Sequence, residues 1–188
     1  MGKLFLGLVH YPIYNKNMEV INTSITNLDI HDIARSCVTY DIKRYYVIHP
    51  LEAQAEIARE ILNYWQEGYG SIYNPDRKVA LQNVIIKDSI ETVKDDIREK
   101  FGLDVKTIVT DARIYPSSTS YKKLREEIAT KDYCYLLLFG TGWGLAKEVM
   151  DAADYRLYPI LGAGEYNHLS VRSAVAIILD RLSGEKWW

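Results

Sequence analysis

The chain alternates between two hydrophobic spacings. Short apolar runs stand at Leu4–Val9, Tyr45–His49, Leu81–Ile86, Val105–Thr110, Cys134–Phe139 and Tyr155–Ile160, and each predicts a β-strand. Several are unbroken, as in Tyr135-Leu136-Leu137-Leu138-Phe139. A strand with one wet face alternates apolar and polar residues, so an unbroken run predicts cover on both faces, as in a parallel sheet. Between the runs apolar residues recur at helical spacing. After Asn27 the set is Ile30, Ile33, Ala34, Cys37 and Val38; Pro50 is placed to open a helix with the stripe Ile57, Ile61, Leu62 and Trp65. Further helices are predicted over about Asp88–Phe101, stopped by Gly102, over about Ser120–Ala129, and with Val171, Ala174, Val175, Ile178, Leu179 and Leu182 in register. This alternation predicts an α/β fold with a mainly parallel sheet and helices on both faces. Tyr11–Thr26 and Gly68–Lys78, rich in Asn and Tyr, break the pattern and are expected to be long, functional loops.

Composition narrows the class. A chain of 188 residues, 48% apolar and 26% charged, predicts a single globular domain over 1–188. Such a length buries roughly two-thirds of the unfolded chain's surface, enough to need no disulfide or metal staple. Cys37 and Cys134 lie in apolar patterns and are expected as buried free thiols in a reducing cytoplasm. No apolar run is long enough to span a bilayer, so no membrane partner is expected. The opening Met1–Val9 stretch is followed by His10 and Pro12 rather than a small-residue cleavage site, and reads as a strand. The net charge of −2 runs against a protein that grips nucleic acid through a strongly basic overall balance. Basic residues come in small knots, Lys43-Arg44 and Lys122-Lys123 with Arg125, so any RNA contact is expected to be local or doubled by dimerisation.

Two segments carry candidate chemistry. Phe139-Gly140-Thr141-Gly142-Trp143-Gly144-Leu145 ends a buried strand before a helix near Ala146. Its alternate glycines allow a tight turn, close ligand approach and amides free to donate. Pro159-Ile160-Leu161-Gly162-Ala163-Gly164-Glu165-Tyr166-Asn167-His168 again lies between strand and helix. Ligands of open α/β sheets sit outside the carboxyl ends of strands, so the two loops can wall one crevice. They can equally be plain strand-to-helix turns. The dinucleotide fingerprint fails on spacing and position, and the P-loop lysine-serine pair is absent. His31-Asp32, His10, His49 and His168 make no ligand spacing, so no metal is expected.

FGTGWGL, and PILGAGEYNHLSVRSAVAIILDRL after it, resemble the second and third motifs of the SPOUT (SpoU–TrmD) class of S-adenosylmethionine-dependent RNA methyltransferases. The resemblance implies a C-terminal trefoil knot, about residues 134–183, which the rarity of knots would never have suggested. It implies a bent S-adenosylmethionine held largely by backbone at Leu138, Gly140, Gly142, Gly144, Ile160, Gly162, Leu169 and Ser170. It also implies structured RNA, transfer or ribosomal, as partner, and a homodimer with its cleft at the subunit interface. The first motif resembles Asn27–Cys37: Arg35 falls at the class's arginine, whereas Asp29 stands where the class has an amide and Asn27 lies two residues earlier.

Two residues are then expected to be catalytic. Arg35 suits a ribose 2′-hydroxyl acceptor, positioning it or stabilising charge, since arginine stays protonated; the other reading is a surface arginine paired with Asp32. Glu165 suits a base-nitrogen acceptor, and the guanine-N1 methyltransferases of the class carry a glutamate after glycines in such a loop; the other reading is a carboxylate at a helix N-terminus. Asn167 is expected to cap the last helix. Two rival functions remain open: a non-catalytic S-adenosylmethionine/RNA-binding module, favoured by the near-neutral charge and Asp29, and a nucleotide-binding domain acting on small metabolites. Trp187-Trp188 suit packing across a subunit boundary and a frayed end equally well.

Overall fold

The structure, a computed structural model, describes residues 2–185; Trp187-Trp188 lie outside the described residues. In chain order the strands are β1 Lys3–Val9, β2 Ile13–Tyr14, β3 Val20–Ile21, β4 Tyr45–Ile48, β5 Val84–Lys87, β6 Val105–Val109, β7 Ser118–Thr119, β8 Cys134–Gly140 and β9 Tyr155–Leu157. The helices are α1 Asn27–Thr39, α2 Glu52–Gln66, α3 Tyr69–Tyr73, α4 Pro75–Leu81, α5 Ile90–Phe101, α6 Tyr121–Thr130, α7 Lys147–Ala152 and α8 Val171–Ser183. Seven strands form one parallel sheet in the order β5-β4-β1-β8-β6-β9-β7. β2 and β3 form a separate antiparallel hairpin.

The unbroken apolar run of β8 is explained by its central place. All seven of its residues pair with β1, from Lys3↔Cys134 to Val9↔Gly140, and β6 covers its other edge. Its side chains serve two cores in alternation. Tyr135, Leu137 and Phe139 join Leu4, Leu6 and Leu8 of β1 and residues of α1, α2, α4, α6 and α8. Cys134, Leu136 and Leu138 join Phe5, Val9 and residues of α5 and α7 on the opposite face. Helices therefore cover both faces. Cys37 and Cys134 are free and buried, and burial raises both thiols above their usual range.

Several boundaries differ from expectation for local reasons. Pro50 does not open α2: the Leu51 N–H donates to His49 Nδ1 at 3.0 Å, which holds Leu51 extended and delays the helix to Glu52. Its buried face is Ala55, Ala58 and Leu62, and Ile57 faces out, 46% exposed. Val38 likewise faces out of α1. Leu81 ends α4, so the strand expected from it starts only at Val84. Gly68–Lys78 is no loop but α3 and most of α4, the latter with Pro75 in its first turn and the Asn74 side chain accepting from Arg77 N. β9 stops at Leu157; Tyr158 N still donates to Thr119 O at 2.9 Å, but Pro159 has no N–H to extend the ladder. Gly102 ends α5 in the left-handed conformation, φ 65°, as a C-terminal glycine should.

Leu137 is fully buried on the central strand. Leu137→Ala is expected to cost about 2–5 kcal/mol, through lost burial and an unfilled cavity. A urea midpoint within error of the parent would contradict that placement.

Candidate active site

A cavity of about 640 Å³ opens at the carboxyl ends of β8, β6 and β9, on the face that carries α1 and α8. That volume falls within the usual range for small-ligand sites. Its walls come from Gly140–Gly144, from Leu157–Ile160, from Asn167–Val171, and from α8 through Ala174 and Ile178. Thr23, Ser24, Thr26 and Asp29, from the Tyr11–Thr26 segment and the first motif, form a further wall, and Thr110–Arg113 after β6, not legible in the sequence, form another. The only hint of Thr110–Arg113 was its place at the carboxyl end of a predicted strand.

The expected cofactor contacts separate into two groups. Gly140, Gly142, Gly144, Ile160, Leu169 and Ser170 line the cavity. Leu138 turns its side chain into the opposite core, and its carbonyl accepts from Thr110 N and Oγ1. Gly162 sits in an exposed stretch outside the lining. Ser170, not Asn167, caps α8, its side chain accepting from Ser173 N. Asn167 instead donates to the Ala112 carbonyl at 2.9 Å, tying the 162–168 loop to the loop after β6. Glu165 is exposed and outside the lining. Arg35 is exposed too, a long way round α1 from Asp29, and Asp32 pairs with Arg172 rather than with Arg35.

The glycine loop is held rigidly from beneath. A Cβ on Gly140 would meet Leu145 N at 2.7 Å, while Gly142 and Gly144 hold φ of 57° and 103°. Its amides are largely spent internally: Thr141 N donates to Val9 O, Trp143 N to Tyr14 O and Gly144 N to Thr141 O. The expected set of free donors is thus reduced. Tyr14 N also donates to Gly144 O, and Ala146 N to Pro12 O. The expected N-terminal loop is in fact a hairpin that braces this turn.

Below the brace lies a buried polar chain. Thr141 Oγ1 donates to Val9 O, which leaves Thr23 Oγ1 to donate to Thr141 and His10 Nδ1 to donate to Thr23. Leu51 N donates to His49 Nδ1, so His49 Nε2 carries the proton given to Thr23 O. Both imidazoles are neutral in this scheme. Burial, and secondarily the neighbouring His49, lower the His10 pKa to about 4, outweighing the Thr23 hydrogen bond. Asp29 is 8% exposed; its Oδ2 accepts from Thr26 Oγ1 at 2.6 Å and its Oδ1 from Arg172 Nη1 at 3.3 Å. Burial opposes the charge of Asp111, but hydrogen bonds from Arg113 and Tyr115 prevail and hold its carboxyl below the usual range.

With this geometry, comparison with known proteins is decisive. A family described as SAM-dependent RNA methyltransferase matches residues 3–184. The chain belongs to that family. An uncharacterized protein of Aquifex aeolicus (strain VF5) is 44% identical over 95% of this chain and 87% of its own length. A protein of Oleidesulfovibrio alaskensis named tRNA (guanine-N(1)-)-methyltransferase is 41% identical over 97% of this chain, and one of that name from Nitratidesulfovibrio vulgaris is 42% identical over the same share. The chain spans only 42% of the length of each. Among solved structures, the TrmH/SpoU tRNA modifying enzyme of A. aeolicus superposes with TM-score 0.54 at 18% identity, covering 97% of this chain and 73% of that one. The SpoU methyltransferase AviRb of Streptomyces viridochromogenes, solved in complex with AdoMet, gives 0.57 at 17% identity over 97% of this chain and 56% of that one. These likenesses establish a SPOUT-type α/β fold.

S-adenosylmethionine is the methyl donor of this SAM-dependent family, and the cavity fits it. Ile160, Leu157, Leu169 and Ile178 offer an apolar slot beside the backbone of Gly140–Gly144, and the polar groups of Thr110, Asn167 and Ser170 lie in the same wall.

Two outcomes follow from this geometry. Gly140→Ala must displace the 144–145 backbone at a cost of about 1–3 kcal/mol, so calorimetry is expected to show S-adenosylmethionine binding weakened about tenfold; parent-like affinity would overturn the role of this turn. Below pH 6.5 the unfolded His10 takes up a proton that the folded residue refuses until about pH 4. Stability is therefore complete above pH 6.5 and falls by up to about 3 kcal/mol toward pH 4. Urea midpoints across that window, flatter in His10→Gln than in the parent, are the check.

Proposed function

We propose that the chain, working as one unit over 1–188, transfers the methyl group of S-adenosylmethionine to a ribose 2′-oxygen of a structured transfer or ribosomal RNA. It does so in the 640 Å³ cavity, as a cytoplasmic homodimer whose residues 134–183 are threaded as a trefoil knot. The observation that carries this reading is the meeting of both glycine-bearing motifs with Asp29 of the first motif in one cavity.

Bound there, S-adenosylmethionine supplies an electrophilic methyl group whose sulfonium charge vanishes on transfer, so the protein need supply no strong acid. Its part is alignment, which contributes several kcal/mol. Gly140, Gly142 and Gly144 let backbone approach the adenosyl group, and Ile160 and Leu169 flank it. Asp29, fixed by Thr26 and Arg172, accepts the hydrogen bond of the acceptor hydroxyl and then its proton. Arg35, on the exposed side of α1, holds an RNA phosphate. Glu165, on the exposed 162–168 loop, contacts the RNA rather than the reacting oxygen.

A base-nitrogen acceptor is the second reading, favoured by the name of the Oleidesulfovibrio relative and limited by the 42% of that protein which this chain spans. Tritiated methyl transfer to bulk transfer and ribosomal RNA, followed by nuclease digestion and mass spectrometry, separates the two. A 2′-O-methylnucleoside is expected. Asp29→Asn should lower kcat by about 10²-fold or more with S-adenosylmethionine affinity kept, and Arg35→Ala should raise KM for RNA. A methylated nucleobase whose formation is lost in Glu165→Ala would overturn the ribose assignment. A monomeric mass in sedimentation would overturn the dimer.

A further inference from the structure

The two basic knots of the sequence lie some eighty positions apart, and the cofactor cavity uses neither. The fold brings them together. A second, larger groove, about 1500 Å³, lies at the opposite end of the sheet, where β1 begins. Lys3 enters it from β1, Lys43 from the turn before β4, Lys122 and Arg125 from α6, and Arg181 from the end of α8. Five cationic side chains thus face three carboxylates, Asp41, Glu126 and Asp180, in a chain whose net charge is −2.

The three carboxylates leave the groove an excess of two positive charges. Asp41 pairs with Lys43 at 2.7 Å, Asp180 accepts from Tyr40 Oη at 3.1 Å, and Glu126 makes no ion pair among the described residues. Among the described residues Lys3, Lys122, Arg125 and Arg181 make no ion pair. Arg125 gives its donors to the Arg181 and Gly184 carbonyls at 2.8 and 2.9 Å, which places a full positive charge at the end of α8 with no carboxylate against it. Arg181 lies over the Tyr121 ring, 5.2 Å from its centroid. Four cations without an ion pair among the described residues, gathered in one open groove, suit successive phosphates of a polyanion.

We infer that this groove is a second RNA-binding surface, gripping the phosphodiester backbone of the substrate far from the atom that is methylated. The inference rests on RNA being the partner, as in the proposed function. β1 runs from the groove at Lys3 to the glycine loop at Val9↔Gly140. Seven strand residues put the two sites about 20 Å apart, so a partner filling both is a folded RNA and not a nucleotide. A second copy of the chain is the poorer occupant: an isologous contact would set this excess of positive charge against itself.

The test measures affinity for bulk transfer RNA as a function of salt, with S-adenosylmethionine binding and melting followed in the same samples. Lys43→Glu with Lys122→Glu is expected to weaken RNA binding about tenfold or more, and to lower the slope of log affinity against log salt by about 0.7–0.9 per lost phosphate contact. S-adenosylmethionine affinity should not change. Lys94→Glu with Arg98→Glu, on α5 and outside the groove lining, is the charge-matched control and should leave RNA binding near the parent value. Lys122→Gln alone, at an exposed position, gives a smaller loss in the same direction if the double variant melts early. Parent-like affinity and slope in the groove variants, with methyl transfer intact, would overturn the groove while sparing the proposed function. A parent that neither binds nor methylates RNA would overturn both. A groove variant that changes the sedimenting mass instead would mark an interface between copies.

Discussion

The structure depends on β8 being the middle strand of a parallel sheet. It is paired along its whole length to β1 and over most of it to β6, with a hydrophobic core on either face. A strand so placed cannot tolerate polar side chains on either side, which accounts for Tyr135–Phe139. It also cannot end in a loose loop, because β1 ends beside it in register and both chains must leave the sheet at one point. Gly140–Gly144 solves that crowding with two left-handed glycines and one position that admits no Cβ. The cavity is the space left over when these exits diverge.

Around that exit the N-terminal third works as scaffold and wall together. The β2–β3 hairpin exchanges backbone hydrogen bonds with the glycine turn, and the His10–Thr23–Thr141 chain ties β1, the hairpin's far end and the turn into one polar unit. Arg172 at the start of α8 reaches both Asp29 and Asp32 of α1. The first and third motifs are therefore joined by an ion pair, and Asp29 is held by two partners at the cavity wall. The buried carboxylate of Asp29 is thus accommodated by a neighbouring guanidinium, a contact visible only in space.

The two ends of the sheet carry different surfaces. The carboxyl ends hold the mainly apolar cavity that fits an adenosyl ligand, and the amino end carries the open cationic groove.

Much of this was legible in the chain alone. Strand and helix identity, the parallel sheet, the buried thiols, the Gly102 stop and both glycine-bearing turns follow from spacing and local conformational preference, which act over a few residues. Gly68–Lys78 reads as a loop in sequence because helices as short as α3 and α4 carry too few apolar positions to show a period; packing decides them. Leu138 and Gly162 entered the expected contact set through the family resemblance; in the fold the Leu138 side chain joins the core on the other face of the sheet and Gly162 lies outside the cavity lining. Tertiary structure alone decided that Thr110–Arg113 and Asp29 would wall the same cavity, that Arg35 and Glu165 would stand outside it, and that two distant basic knots would share a groove. Those are meetings between strand ends and helix faces, set by sheet order, and sheet order is written in no local pattern.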